Sequence, residues 1–140
     1  MFEPANRINV VIGAGNVNTD LVQVAASASI SVVGVTSSPV DLVEMAATQH
    51  PDAVVMHAAS AGPATAHVIA MLRRRVPLTR IVVFLDAPTD QSLRQVLGYG
   101  AHAALDVAEI QASAVPAIRS VIAELRGSGR VLTASGAASA

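Results

Sequence analysis

The chain has 140 residues, nine Lys+Arg against ten Asp+Glu, and no cysteine. That excludes a disulfide framework, a thiolate metal site and a cysteine nucleophile, and the near-neutral balance argues against a nucleic-acid binder, which needs a basic excess. Hydrophobic residues make up 52% but aromatic ones only 2%, so the core has to be built from Ala, Val, Ile and Leu, and with 14% charged residues the surface is poor in charge, which favours association with a partner or a second copy.

The length is that of one domain with a core large enough to stand without staples. In chain order, the first apolar run, Ile8–Ile12, is short and continuous, as expected of a parallel strand covered on both faces. Leu21, Val24, Ala25 and Ala28 follow at helical spacing. The second run, Ile30–Val35, precedes a helix with Leu42, Met45 and Ala46 on one face, Pro39 near its start and Asp41 in its first turn. The third run, Ala53–Met56, leads to His57 and then to small residues as far as Gly62-Pro63. Val68, Ile69 and Leu72 mark the next helix, which ends in Arg73–Arg75, where the helix dipole favours cations. The fourth run, Ile81–Leu85, is followed by Leu93, Val96 and Leu97, with Thr89 or Asp90 as N-cap. A fifth run, Ala101–Leu105, precedes the last stripe, Ile118, Val121, Ile122 and Leu125, with Pro116 expected in the first helical turn.

Five strands alternating with helices predict a doubly wound α/β fold with helices on both faces of one parallel sheet. The domain is expected over residues 1–126. The Gly/Ser/Ala-rich residues 127–140 read as a linker or the start of a further domain. Two uncharged stretches, Leu21–Val40 and Ala53–Leu72, are long enough to span a bilayer but are broken by turn residues, so no membrane segment is expected. The N-terminal MFEPANR has no apolar signal-peptide core, and the expected compartment is the cytoplasm.

In such folds ligands bind at the carboxyl ends of the strands. Those ends offer Gly13–Asn16, His57, Leu85-Asp86 and Asp106-Val107. Gly13-Ala14-Gly15 opens like a dinucleotide fingerprint, but Asn18 stands at the third glycine and no acidic residue ends the second strand. Its plainer reading is a tight turn that lets the first helix, at Leu21–Ala28, pack close to the sheet. His57 with Asp86 supplies two metal ligands without a third. No Ser-His-Asp set or carboxylate pair is marked by spacing, and neither cofactor nor metal is expected.

The segments "HPDAVVMH", "RIVVFLDAPTDQSLRQVLGYGAHAAL" and "PAIRSVIAEL" resemble the receiver domains of bacterial response regulators over Asn6 to Leu125. That resemblance implies a five-stranded receiver or flavodoxin-like sheet of order 2-1-3-4-5. It also implies a phosphorylation site that this chain has lost. The Mg²⁺-binding acidic pair would fall near Gly13 and Ala14, the phosphoacceptor Asp on His57, the Thr/Ser of the fourth strand on Leu85, the aromatic switch on Ala104 and the Lys of the fifth strand on Val107. No acidic residue lies between Arg7 and Thr19. Aspartyl phosphorylation needs a carboxylate nucleophile and a divalent cation held by oxygen ligands.

The expectation is a degenerate, non-enzymatic receiver that works as an interaction module in signal transduction. Its partners would be a second copy, another signalling or assembly protein, or an attached output domain, either a MinD/ParA-like ATPase or a LuxR-type DNA-binding domain. This segment itself should bind neither nucleic acid nor membrane. The expected interface, on the fourth helix, fifth strand and fifth helix, is Arg94, Leu97, Tyr99, His102, Arg119 and Glu124. The alternative is a small-molecule or dinucleotide binder using Gly13–Asn16 and His57.

Overall fold

The computed structural model describes residues 8–13, 30–126 and 132–133. The sheet is parallel, built from β1 (Ile8–Gly13), β2 (Ile30–Thr36), β3 (Ala53–Ala58), β4 (Arg80–Leu85) and β5 (Ala103–Asp106). The described helices are α1 (Pro39–Gln49), α2 (Pro63–Arg75), α3 (Asp90–Tyr99) and α4 (Ile110–Arg126), the last after a 3-10 turn at Val107–Glu109. The expected strand order 2-1-3-4-5 is present, and a two-residue strand, β6 (Leu132–Thr133), extends it beside β5. The helix expected around Leu21–Ala28 lies outside the described residues, as does most of the expected linker, of which Leu132 and Thr133 pair with Ala103 and Ala104.

Alternation within the strands sorts the core into two clusters. Val10, Ile12, Val55, Val82 and Phe84 pack with Ala114, Ile118 and Val121 of α4 on one side. Val11, Val54, Val83 and Leu85 pack with Leu42 of α1, Ile69 and Leu72 of α2, and Val96 of α3 on the other. With almost no aromatic volume to fill the space, the layers come very close. A Cβ at Gly13 would stand 2.6 Å from both methyl carbons of Leu42. Gly13 thus leaves room for α1, whereas the helix that the sequence reading has it admit, around Leu21–Ala28, lies outside the described residues.

The helices are started by local chemistry. Ser38 Oγ caps α1 by accepting the Asp41 N–H at 3.3 Å, and Pro39 opens it. Thr89 and Ser92 form a reciprocal capping box on α3. Two expectations are corrected. Helix α4 begins at Ile110, so Pro116 lies inside it and not in its first turn. The stripe Ile110, Ala114, Ala117, Ile118, Val121 and Ile122 is buried, and its burial holds the helix through the proline, which sits on the exposed face. Strand β5 starts at Ala103, two residues later than its apolar run, because His102 is used differently.

His102 was expected on an exposed interface and is 7% exposed. Its N–H donates to the Ile81 carbonyl at 2.8 Å, and its Nδ1 accepts the Ile81 N–H at 3.0 Å. The ring therefore takes the place of a backbone carbonyl at the start of the β4–β5 ladder. Burial first, and then the positive charges of Arg80 and Arg73, lower its pKa from 6.5 to about 4. Between those values the unfolded chain binds a proton that the folded chain does not. His102 therefore withdraws stability as pH falls from about 6.5 to about 4, by on the order of 3 kcal/mol once the shift is complete. Urea denaturation across that range should show this loss. His102→Asn, whose amide oxygen can still accept the Ile81 N–H, should show a markedly shallower dependence.

Candidate functional site

At the carboxyl ends of the strands, parallel register brings Gly13 beside Met56, Ala58 beside Leu85, and Leu85 beside Asp106. His57 is the penultimate residue of β3, and Asp86 directly follows β4. The His57 Nε2–H donates to Asp86 Oδ1 at 2.8 Å, with the two side chains 12% and 50% exposed. A carboxylate on Nε2 fixes that nitrogen as the donor and leaves Nδ1 as the acceptor of the neutral ring.

Gly13, Met56, His57, Ala58, Ala59 and Ser60 line a half-open pocket of about 260 Å³ together with Ser37, Ser38, Pro39 and Leu42 from the start of α1, and Ala64, Thr65 and Val68 from α2. The two helices begin at its rim. The N-cap of α2, Gly62, has no side chain to bond the first-turn N–H groups, and Thr65 Oγ1 turns back to donate to the Ser60 carbonyl at 2.8 Å.

The other expected site residues are placed as follows. Ala14 lies outside the described residues, with Gly15 and Asn16. Leu85 is 1% exposed and belongs to the core on the α1–α3 side of the sheet. Val107 follows the end of β5, opens the 3-10 turn and packs against the core on the α4 side. Asp106 uses its carboxylate locally, accepting the Ala108 N–H at 2.9 Å. Gly13 and His57 are thus brought to one pocket and His57 and Asp86 into one hydrogen bond, while Leu85 is buried in the core on one side of the sheet and Val107 packs against the core on the other. Among the described residues no three His, Cys, Asp or Glu side chains come together as a metal site.

The expected fourth and fifth helices are α3 and α4. On that face Arg94 and Arg119 are exposed and Leu97 and Tyr99 are half-buried, packed on the domain's own core. Glu124 belongs to α4, with its side chain outside the described residues. The Tyr99 hydroxyl turns inward and donates to the Ala61 carbonyl in the loop after β3. Sequence reading missed this tether, for no spacing rule links residues 61 and 99. Ala104, where a receiver would carry its aromatic switch, is fully buried. Ala87, next to Asp86, has φ of 40°, a left-handed conformation that costs a non-glycine residue energy and marks the β4–α3 loop as constrained.

No family model matches the chain, and no curated protein sequence matches it. Solved structures do. The isolated receiver domain of RcsB from Salmonella enterica serovar Typhimurium, in its apo form, superposes with a TM-score of 0.78 at 14% identity, over 94% of this chain and 96% of that one. A LuxR-family two-component response regulator from Aurantimonas sp. gives 0.74 at 18% identity, over 95% and 91%. The response-regulator domain of CheB from Thermotoga maritima gives 0.72 at 16%, over 84% and 98%. The chain has the receiver fold. On that fold the end of β3 carries an imidazole in this chain, hydrogen-bonded to the residue after β4, and the end of β1 carries a glycine closed over by Leu42. Among the described residues no helix is long and apolar enough to cross a membrane.

His57→Ala should leave the fold intact and lower stability by about 1–3 kcal/mol, the cost of lost packing and one charge-assisted hydrogen bond to a half-exposed carboxylate. Denaturant unfolding checks this. The far-UV circular dichroism spectrum should be unchanged.

Proposed function

We propose that this chain is a degenerate receiver that acts without phosphorylation, as a protein-interaction module in signal transduction. The observation that carries this reading is the His57–Asp86 hydrogen bond at the end of β3. A receiver that turns over phosphate gathers carboxylates there around a divalent cation, which balances the charge of the phosphoryl group. Here an imidazole donates to the one carboxylate beside it, and Gly13 at the end of β1 offers no side-chain oxygen. The Tyr99 hydroxyl, held on the Ala61 carbonyl, supports a fixed α3–β5–α4 surface and not one that a modified site would rearrange. In this reading the domain is non-catalytic and serves a cytoplasmic partner, a second copy or an output domain attached beyond residue 126.

The pocket of about 260 Å³ beside His57 favours one second reading, a small-molecule binder. In it, the Nδ1 of His57 and the hydroxyls of Ser37, Ser38 and Ser60 would supply the polar contacts in an otherwise apolar cleft.

Self-association should follow from so weakly charged a surface, and a two-fold dimer is the commonest form. Sedimentation across a concentration series, with and without acetyl phosphate and Mg²⁺, tests the interaction reading. The expected result is a dimer with the same association constant in both conditions, weakened by Arg94→Glu on the exposed side of α3. Leu97→Glu is the poorer probe, since Leu97 packs on the core. A strict monomer, or a dimer formed only with the phosphodonor, would contradict the proposal.

A further inference from the structure

The opposite ends of the strands hold a second group of polar side chains. Arg73, in the last turn of α2, lies across Gly100, the C-cap of α3. Gly100 has φ of +121°, and a Cβ there would stand 3.2 Å from Arg73 Cγ and 3.3 Å from its Nε. Only a glycine meets both conditions, and it lets the arginine lie flat toward the start of β5. The guanidinium then reaches His102, with Arg73 Nη1 3.2 Å from His102 Nε2.

That contact has no acceptor. A neutral imidazole has one acceptor nitrogen, and in His102 it is Nδ1, occupied by the buried Ile81 N–H. Nε2 must then carry the proton. Its neighbour is an arginine nitrogen, which donates and does not give up its charge. Two donors therefore face one point, and one of them belongs to a side chain only 7% exposed. The other tautomer would set the Ile81 N–H against a ring N–H, deeper in the protein and at greater cost.

Arg80 adds an independent observation. Its Nε is sealed from solvent and has no hydrogen-bond partner among the described residues. Nor does a carboxylate neutralise the cluster. The ion pairs seen among the described residues are His57–Asp86 and Arg75–Glu44, so Arg73, Arg74 and Arg80 have no carboxylate within 4.0 Å. Buried donors without acceptors beside uncompensated positive charge are chemically complementary to an anion.

We propose that Arg73, His102 and Arg80 form a binding site for an oxyanion, the group of a phosphate monoester or a carboxylate. Arg73 and the His102 Nε2–H donate to its oxygens, Gly100 fixes the approach of Arg73, and Arg80 supplies the second positive charge. The site lies at the far end of the sheet from His57 and does not depend on the interaction reading above.

The test uses the full chain with ring-labelled histidine. His102 ring resonances and thermal stability are followed during separate titrations with inorganic phosphate, acetate and chloride at matched ionic strength. A saturable shift of the His102 ring with a rise in Tm is expected. Binding should weaken about tenfold or more in Arg73→Gln and stay unchanged in the control Arg75→Gln, whose guanidinium is paired with Glu44. Arg73→Lys, which keeps the charge and loses the planar fork, serves as a second variant if Arg73→Gln is unstable, and it too should weaken binding. A response to phosphate alone assigns the site to phosphate monoesters, and a response to acetate as well extends it to carboxylates. No saturable shift with either, or a shift equal in chloride or indifferent to both Arg73 variants, overturns the proposal.

Discussion

Both faces of the central strands are sealed, and this constraint governs where the molecule can do anything. Val10, Val11, Val54, Val55, Val82, Val83 and Phe84 are completely inaccessible to solvent. An unpaired polar side chain in the middle of such a sheet would cost several kcal/mol. Polar chemistry is therefore pushed to the two ends of the strands. His57 and Asp86 stand at the carboxyl end, and His102 and Arg80 at the amino end. The two histidines have opposite electrostatic settings: His57 donates to a carboxylate, whereas burial first, and then the charges of Arg80 and Arg73, keep His102 neutral.

The same constraint bears on the proposal that the carboxyl end does not carry out phosphoryl transfer. A phosphoryl group at the end of a buried sheet has to have its charge compensated on the spot. A receiver that is phosphorylated does so with carboxylates and a bound cation. In this chain the His57 imidazole donates to Asp86 at that end, and Asp106 accepts the Ala108 N–H of its own turn. Packing there is tight as well, because Leu42 occupies the space next to Gly13 that any longer side chain would need.

Most of the fold was legible because its signals are local. Continuous apolar runs bounded by turn residues gave the strands, and Pro39 and Thr89 marked helix starts that the structure bears out. Errors arose where a tertiary contact outweighed a local signal. Pro116 reads as a helix start, yet a buried stripe beginning at Ile110 carries the helix through it. Ala101 and His102 extend the apolar run of β5, yet the His102 ring caps Ile81 and the strand begins after it. At the site, His57 and Asp86 could be named from their places at strand ends. Their hydrogen bond could only be inferred from the fold, since they are 29 residues apart. The Arg73–His102 contact and the Tyr99–Ala61 tether were not legible at all, because they join loops and helix ends at separations that no periodicity marks.

The central claim is that the carboxyl end of the sheet cannot accept a phosphoryl group, and intact-mass spectrometry tests it most directly. The protein is incubated with acetyl phosphate and Mg²⁺ and compared with an untreated sample and with His57→Ala. The account predicts one unchanged mass for the wild type throughout. A stoichiometric phosphate adduct on the wild type that disappears in His57→Ala would show that the imidazole at the end of β3 is a phosphoacceptor, and the account would be wrong.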